Sequence, residues 1–119
     1  MDPPHSLSWL TEADLDYMAS VLTRNGFRNP LNYYRNIDQN WELLAPWEGA
    51  VMHQPALFIA GAEDHVIRGP AAKAQLDALL TTVPGLKQKV LLEGAGHYIQ
   101  QERPTQVTTA LIDFLRSVA

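Results

Sequence analysis

The residues best suited to chemistry in this chain are a histidine and an aspartate that each follow a short apolar run. His97 ends the segment Leu92-Glu93-Gly94-Ala95-Gly96-His97, and Asp64 comes three residues after the apolar run 55–61. In open parallel α/β sheets, ligands and catalytic groups lie just beyond the carboxyl ends of the strands. The pattern therefore predicts an acid and a base that meet at one edge of a parallel sheet.

His97 has the properties of a general base. Gly94 and Gly96 let the backbone turn tightly and leave the imidazole accessible, and histidine changes its protonation state near neutral pH. Asp64 is placed to accept a hydrogen bond from that imidazole, which would fix its tautomer and stabilise the imidazolium. Glu63 competes for the same role. The alternatives are a turn histidine without function and a turn or cap aspartate.

Tyr34 is a third candidate because it lies on an apolar helical stripe with Ile37, Trp41 and Leu44. Its ring is therefore expected to face a core or a cavity. A phenol in an apolar pocket can donate a hydrogen bond or a proton to a developing oxyanion. The alternative is a packed tyrosine whose hydroxyl is satisfied elsewhere.

Other kinds of site lack support in the sequence. Ser6 and Ser117 have no nucleophile-elbow context. His5, His53 and His65 show no metal-ligand spacing and are expected to be solvated. The chain has no cysteine, so thiolate chemistry is excluded. No nucleophile in a triad-like context is found among the 119 residues.

The elements that must position these residues follow in the order helix, helix, strand, helix, strand, helix. Thr11 is the predicted N-cap of the first helix, and Asn25-Gly26 ends that helix. Asn29 is the predicted N-cap of the second helix, which has Pro30 at its first position and ends at Pro46. Strands are predicted at 55–60 and 90–92, a helix over 72–83 between them, and a last helix from Pro104. The strand-helix-strand part predicts a right-handed parallel βαβ unit.

Two short parallel strands make a poor sheet, and the apolar strand at 55–60 is typical of a strand covered on both faces. We therefore expect another chain, or more of a larger protein, to complete it.

With 46% hydrophobic and 18% charged residues the composition of the chain is that of a globular protein, and its net charge of −4 without a basic patch argues against nucleic-acid binding. No membrane span or signal peptide is predicted, so a cytoplasmic protein is expected.

Several segments resemble the soluble epoxide hydrolases. The segment 26–36, Gly-Phe-Arg-Asn-Pro-Leu-Asn-Tyr-Tyr-Arg-Asn, and the following Asn40-Trp41-Glu42-Leu43 look like the tyrosine motif of that family's cap domain. The acid loop Ala60-Gly61-Ala62-Glu63-Asp64, the histidine loop Gly94-Ala95-Gly96-His97 and the segment Gln101-Glu102-Arg103-Pro104 also match. The resemblance implies a partial α/β-hydrolase fold: two cap-type helices in residues 1–46, then a parallel β-α-β-α unit with the last two strands and helices of the core in 47–119.

The resemblance also implies a two-step reaction on a small apolar epoxide, without metal or organic cofactor. An aspartate nucleophile forms an alkyl-enzyme ester while cap tyrosines, here Tyr34, polarise the epoxide oxygen. His97, oriented by Asp64, then activates water to hydrolyse the ester. The nucleophile, its elbow and a second tyrosine have no match here, so the chain is expected to be a C-terminal part that is inactive by itself.

Two alternatives remain open. The chain could derive from another α/β-hydrolase, such as a haloalkane dehalogenase or an esterase, although the Tyr34 segment argues against this. It could also be a non-catalytic interaction module whose apolar strand edge binds a partner chain.

Overall fold

A computed structural model describes residues 7–119, which divide into two compact units. The first unit ends at Glu48 and the second comprises Gly49–Ala119. His5, Ser6 and the start of the predicted segment 1–46 lie outside the described residues. None of the helices in the described part combines the length and apolarity needed to span a membrane.

The first helix of the first unit, α1 (Glu12–Asn25), begins and ends where the sequence predicts. Thr11 and Asp14 form a reciprocal capping box, in which each side chain accepts the backbone N–H of the other residue, at 3.2 and 2.9 Å. At the other end Gly26 has a φ of +68°, a conformation that glycine adopts without steric cost.

The second predicted helix is interrupted, and its predicted start is wrong. It forms α2 (Arg28–Arg35) and α3 (Ile37–Leu44), separated by Asn36, whose ψ of 2° departs from helical geometry. Phe27 is the N-cap, so Asn29 and Pro30 lie within the first turn of α2. Proline is tolerated there because the first N–H groups of a helix have no intrahelical partner. After α3 a 3₁₀ helix (Ala45–Trp47) contains Pro46.

The second unit contains the sheet. Its elements are β1 (Ala56–Gly61), α4 (His65–Arg68), α5 (Pro70–Asp77), α6 (Leu79–Thr82), β2 (Leu86–Leu92), α7 (Ile99–Glu102) and α8 (Pro104–Val118). The helix predicted over 72–83 is therefore split at Ala78, and α4 and α7 were not predicted. Strand β2 begins four residues before its predicted start, because Lys87, Gln88 and Lys89 are polar and exposed and interrupt the apolar pattern.

The two strands pair in parallel, as predicted. Gly61 lies opposite Leu92, so the carboxyl ends of β1 and β2 are level at one edge of the sheet. The buried core of this unit lies just beyond that edge and consists of Leu92, Ala95, Ile99 and Val107, with Ile59 and Val90 packed against it. The core thus supports the loops that follow both strands.

Candidate active site

The loops after β1 and β2 cross each other in close contact. The N–H groups of Ala62 and Glu63 donate to the carbonyl oxygens of Leu92 and Ala95, both at 2.9 Å. Gly61 is required at this crossing, because a Cβ there would lie 2.1 Å from the carbonyl oxygen of Gly96. Backbone contacts therefore bring the acid loop and the histidine loop together.

The crossing places Asp64 against His97. His97 Nδ1 lies 2.9 Å from Asp64 Oδ2, and the other carboxylate oxygen, Oδ1, accepts the backbone N–H of Val66 at 2.8 Å. Asp64 is 7% exposed, and among the residues described it is the only buried charged side chain. Both of its oxygens are hydrogen-bonded, as a buried carboxylate requires.

The environment of Asp64 favours its ionised form. Burial is the largest single influence and raises the pKa of the carboxyl group, but hydrogen bonds from Val66 N–H and His97, with the nearby His97 and His65 rings, outweigh it. The net result is a pKa below the ordinary value of aspartate. An ionised carboxylate can only accept hydrogen bonds, so Nδ1 of His97 carries the proton.

This arrangement leaves the second nitrogen of His97 for chemistry. With Nδ1 protonated, Nε2 of the neutral ring holds a lone pair, and the side chain is 51% exposed. The ring contacts Tyr98 edge-on, with centroids 5.3 Å apart. A histidine held by a buried carboxylate and open to solvent has the geometry of a general base.

The structure separates Asp64 from its competitors. Glu63 forms an exposed ion pair with Arg68 at 2.7 Å. His65 is exposed, as predicted, although its Nδ1 lies 3.7 Å from Asp64 Oδ1. His53 is exposed as well. Within residues 7–119, no three His, Cys, Asp or Glu side chains are arranged to hold a metal ion.

Tyr34 lies in the first unit, and the described residues do not enclose its ring in the core or cavity that the sequence predicts. The residue is 66% exposed, and its ring contacts the Tyr33 ring edge-on at 5.4 Å between centroids. Ile37, Trp41 and Leu44 on the same stripe are also exposed. Tyr34 belongs to α2 and the other three residues to α3, so the predicted single stripe is divided between two helices.

The sequence reasoning missed three residues that hold the site. Gly61 is needed for the loop crossing, and Glu102 and Arg103 bind the backbone of the histidine loop. The sequence signal for two of them is the segment Gln101-Glu102-Arg103-Pro104, which follows shortly after the histidine loop. A carboxylate and a guanidinium so soon after a glycine-rich turn are suited to bind its backbone.

Comparisons with known proteins agree with this architecture. The chain is 40% identical over 114 residues to epoxide hydrolase A of Mycobacterium tuberculosis and 40% identical over 111 residues to epoxide hydrolase 1 of Siraitia grosvenorii. These matches cover 96% and 92% of the chain but 34% and 36% of the relatives.

The structure of potato (Solanum tuberosum) epoxide hydrolase I superposes with a TM-score of 0.86 at 42% identity, over 92% of this chain and 35% of that one. No family profile matches the chain. The chain thus spans about a third of the length of its relatives. It is a homologue of that third of the epoxide hydrolases, and it has part of the α/β-hydrolase fold.

Proposed function

We propose that this chain supplies the water-activating pair and one oxygen-polarising tyrosine of an epoxide hydrolase that converts a small apolar epoxide to a vicinal diol. The observation that carries the proposal is the contact of His97 Nδ1 with Asp64 Oδ2 at the carboxyl ends of two parallel strands. An acid–histidine pair can serve several hydrolytic reactions, and the similarity to epoxide hydrolases favours epoxide hydrolysis among them. In this proposal residues 1–46 belong to the helical cap and 47–119 to the hydrolase core.

The first step opens the epoxide. A carboxylate from outside these 119 residues attacks an epoxide carbon and forms an ester bond, while the bond from that carbon to the epoxide oxygen breaks. The departing oxygen takes a proton from a phenol, the role proposed for Tyr34. A hydrogen-bond donor at a developing oxyanion lowers the barrier of such a step.

The second step releases the diol. Nε2 of His97 takes a proton from a water molecule while the oxygen of that water attacks the ester carbonyl. Asp64 stabilises the resulting imidazolium through the hydrogen bond from Nδ1–H. The ester then breaks to regenerate the carboxylate and the diol, and the imidazolium proton returns to the tyrosinate through solvent. The cycle balances protons and electrons without a metal or an organic cofactor.

The proposal also requires that the sheet be completed from outside these residues. Among residues 7–119 the sheet has two strands, and large apolar side chains such as Val66, Leu91, Leu111 and Leu115 remain exposed. Exposed apolar side chains of this number are typical of a surface that binds another group, which for a two-stranded parallel sheet is further protein. We propose that the part of the hydrolase outside these residues covers this surface.

A hybrid enzyme tests the proposal. This chain replaces the matching region of M. tuberculosis epoxide hydrolase A, and the hybrid and the 119-residue chain are assayed with styrene oxide, a haloalkane and an ester. We expect diol formation by the hybrid, its loss on His97→Gln, and no turnover by the chain by itself. Diol formation by the chain, or hybrid turnover of only the haloalkane or the ester, would contradict the proposal.

The interaction-module alternative makes a different prediction. It expects the chain to form a defined oligomer or heteromer in size-exclusion chromatography with light scattering, and the hybrid to be inactive. A hybrid that folds and makes diol excludes a purely non-catalytic role.

A further inference from the structure

One carboxylate holds the backbone on both sides of His97. Glu102 Oε2 accepts the N–H of Gly96 at 2.6 Å, and Oε1 accepts the N–H of Tyr98 at 3.0 Å. These two amides belong to the residues directly before and after His97. Hydrogen bonds to a charged acceptor are stronger than neutral ones, so the Ala95–Gly96 peptide and the His97–Tyr98 peptide are both fixed to one side chain.

Arg103 holds the same loop from its other end. Its Nη2 donates to the carbonyl oxygen of Gly94 at 2.6 Å, and its Nη1 donates to the carbonyl oxygen of Glu102 at 2.8 Å. The guanidinium thereby links Gly94, at the start of the histidine loop, to Glu102, which binds the backbone on both sides of His97. We call Glu102 and Arg103 the loop clamp.

The loop needs such a clamp because its reactive residue is poorly buried. Ala95 and Ile99 are buried and anchor the two ends, but His97 itself is half exposed and follows a glycine. Glycine has a large backbone freedom that must be restricted for Nδ1 to stay on Asp64. The carboxylate packs closely on Gly96, since a Cβ there would lie 3.1 Å from Oε1 of Glu102.

We propose that Glu102 is a positioning residue for His97. It acts through the peptide groups of Gly96 and Tyr98, with no contact to substrate, and keeps the imidazole in register with Asp64. Its effect on turnover rests on the proposed function, whereas its effect on the loop can be measured in the chain itself.

The first test is amide hydrogen exchange and ¹⁵N NMR of His97 in the 119-residue chain. Glu102→Gln keeps one acceptor oxygen, so we expect one of the two amides, Gly96 or Tyr98, to exchange about 10- to 100-fold faster. Glu102→Ala should release both amides and reduce the fraction of the Nδ1–H tautomer. Glu93→Gln, an exposed glutamate on the same loop, is the control with the same change in charge.

Three outcomes of this test would overturn the inference. The first is unchanged exchange of both amides in Glu102→Ala. The second is equally faster exchange at the β1 and β2 amides, and the third is failure of both Glu102 variants to fold while Glu93→Gln folds. In the second and third cases Glu102 would stabilise the whole unit.

The second test separates the two chemical steps in the hybrid enzyme by single-turnover kinetics. Glu102→Gln should slow ester hydrolysis on the order of tenfold and leave ester formation unchanged, whereas a general loss of stability would lower the active fraction in both steps. Equal slowing of both steps would overturn the positioning role. If the wild-type hybrid makes no diol while the amides respond as expected, the proposed function fails and the clamp stands.

Discussion

The two regions that carry the candidate chemistry are built in different ways. In the second unit, the acid loop and the histidine loop are fixed by backbone hydrogen bonds, a buried carboxylate and the loop clamp. In the first unit, Tyr34 lies on an exposed helix and its ring contacts only the neighbouring Tyr33 ring among the aromatic contacts of the described residues. The second unit therefore contains the groups that orient its acid–histidine pair, whereas the described residues of the first unit leave the tyrosine ring largely exposed.

The largest expected effect is on the histidine side of this comparison. In the hybrid, His97→Gln removes the base for ester hydrolysis, so diol formation should fall roughly 10²- to 10⁴-fold. Ester formation should persist, and the covalent adduct should accumulate in intact-protein mass spectrometry. His53→Gln, which alters an exposed histidine of the same unit, is the control. A variant that retains turnover would remove His97 from the mechanism.

The tyrosine side should respond in the other step. In the hybrid, Tyr34→Phe removes a donor to the epoxide oxygen and should slow ester formation on the order of 10²-fold. Because the ring is exposed in the chain, the unfolding midpoint of the 119-residue chain should not change. Tyr33→Phe is the matched control on the same helix and is 77% exposed. Equal effects of the two substitutions would refute a specific role for Tyr34.

The loop crossing can be broken without touching either candidate catalytic side chain. Gly61→Ala forces a methyl group against the carbonyl oxygens of Ala95 and Gly96, and should cost about 1–3 kcal/mol of unfolding free energy. Gly69→Ala is the control, since a Cβ there meets nothing within 4 Å. Urea unfolding followed by circular dichroism measures both. An equal midpoint for the two variants would show that the crossing is not tightly packed.

The smallest expected effect is the acid dependence of the buried carboxylate. The pKa of Asp64 is lower in the folded chain than in the unfolded chain, so its stabilising contribution is complete above about pH 4 and is lost as the pH falls through the folded pKa. The free energy of unfolding of Asp64→Asn should therefore fall less than that of the wild type as the pH is lowered below about 4. Urea midpoints across this range measure it, with Asp113→Asn, an exposed aspartate, as the control. Identical pH profiles for Asp64→Asn and the wild type would contradict the assignment.

The sequence predicted the elements that have strong local signals. The capping box at Thr11, the stop at Gly26, the apolar strand and the start of α8 at Pro104 all depend on neighbouring residues, and all are found. The breaks at Asn36 and Ala78 were missed because apolar periodicity continues across both positions. The start of β2 was missed because backbone pairing with β1 makes it a strand, whereas its three polar residues at 87–89 break the apolar pattern.

The residue types and their order determined the candidate chemistry: an acid and a histidine after successive strands, a tyrosine on a cap-like helix, and no nucleophile in a matching context. Only the tertiary structure decided that Asp64 and not Glu63 meets His97, since both follow the same strand and differ by one residue. It also decided that Glu102 and Arg103 hold the histidine loop and that Tyr34 is uncovered. The Asp64–His97 contact joins residues 33 apart in sequence, and it arises from the parallel register and the crossing at Gly61, which leave no local pattern. The clamp joins Glu102 and Arg103 to loop residues four to nine positions away, and its hydrogen bonds depend on the path that the backbone takes after β2.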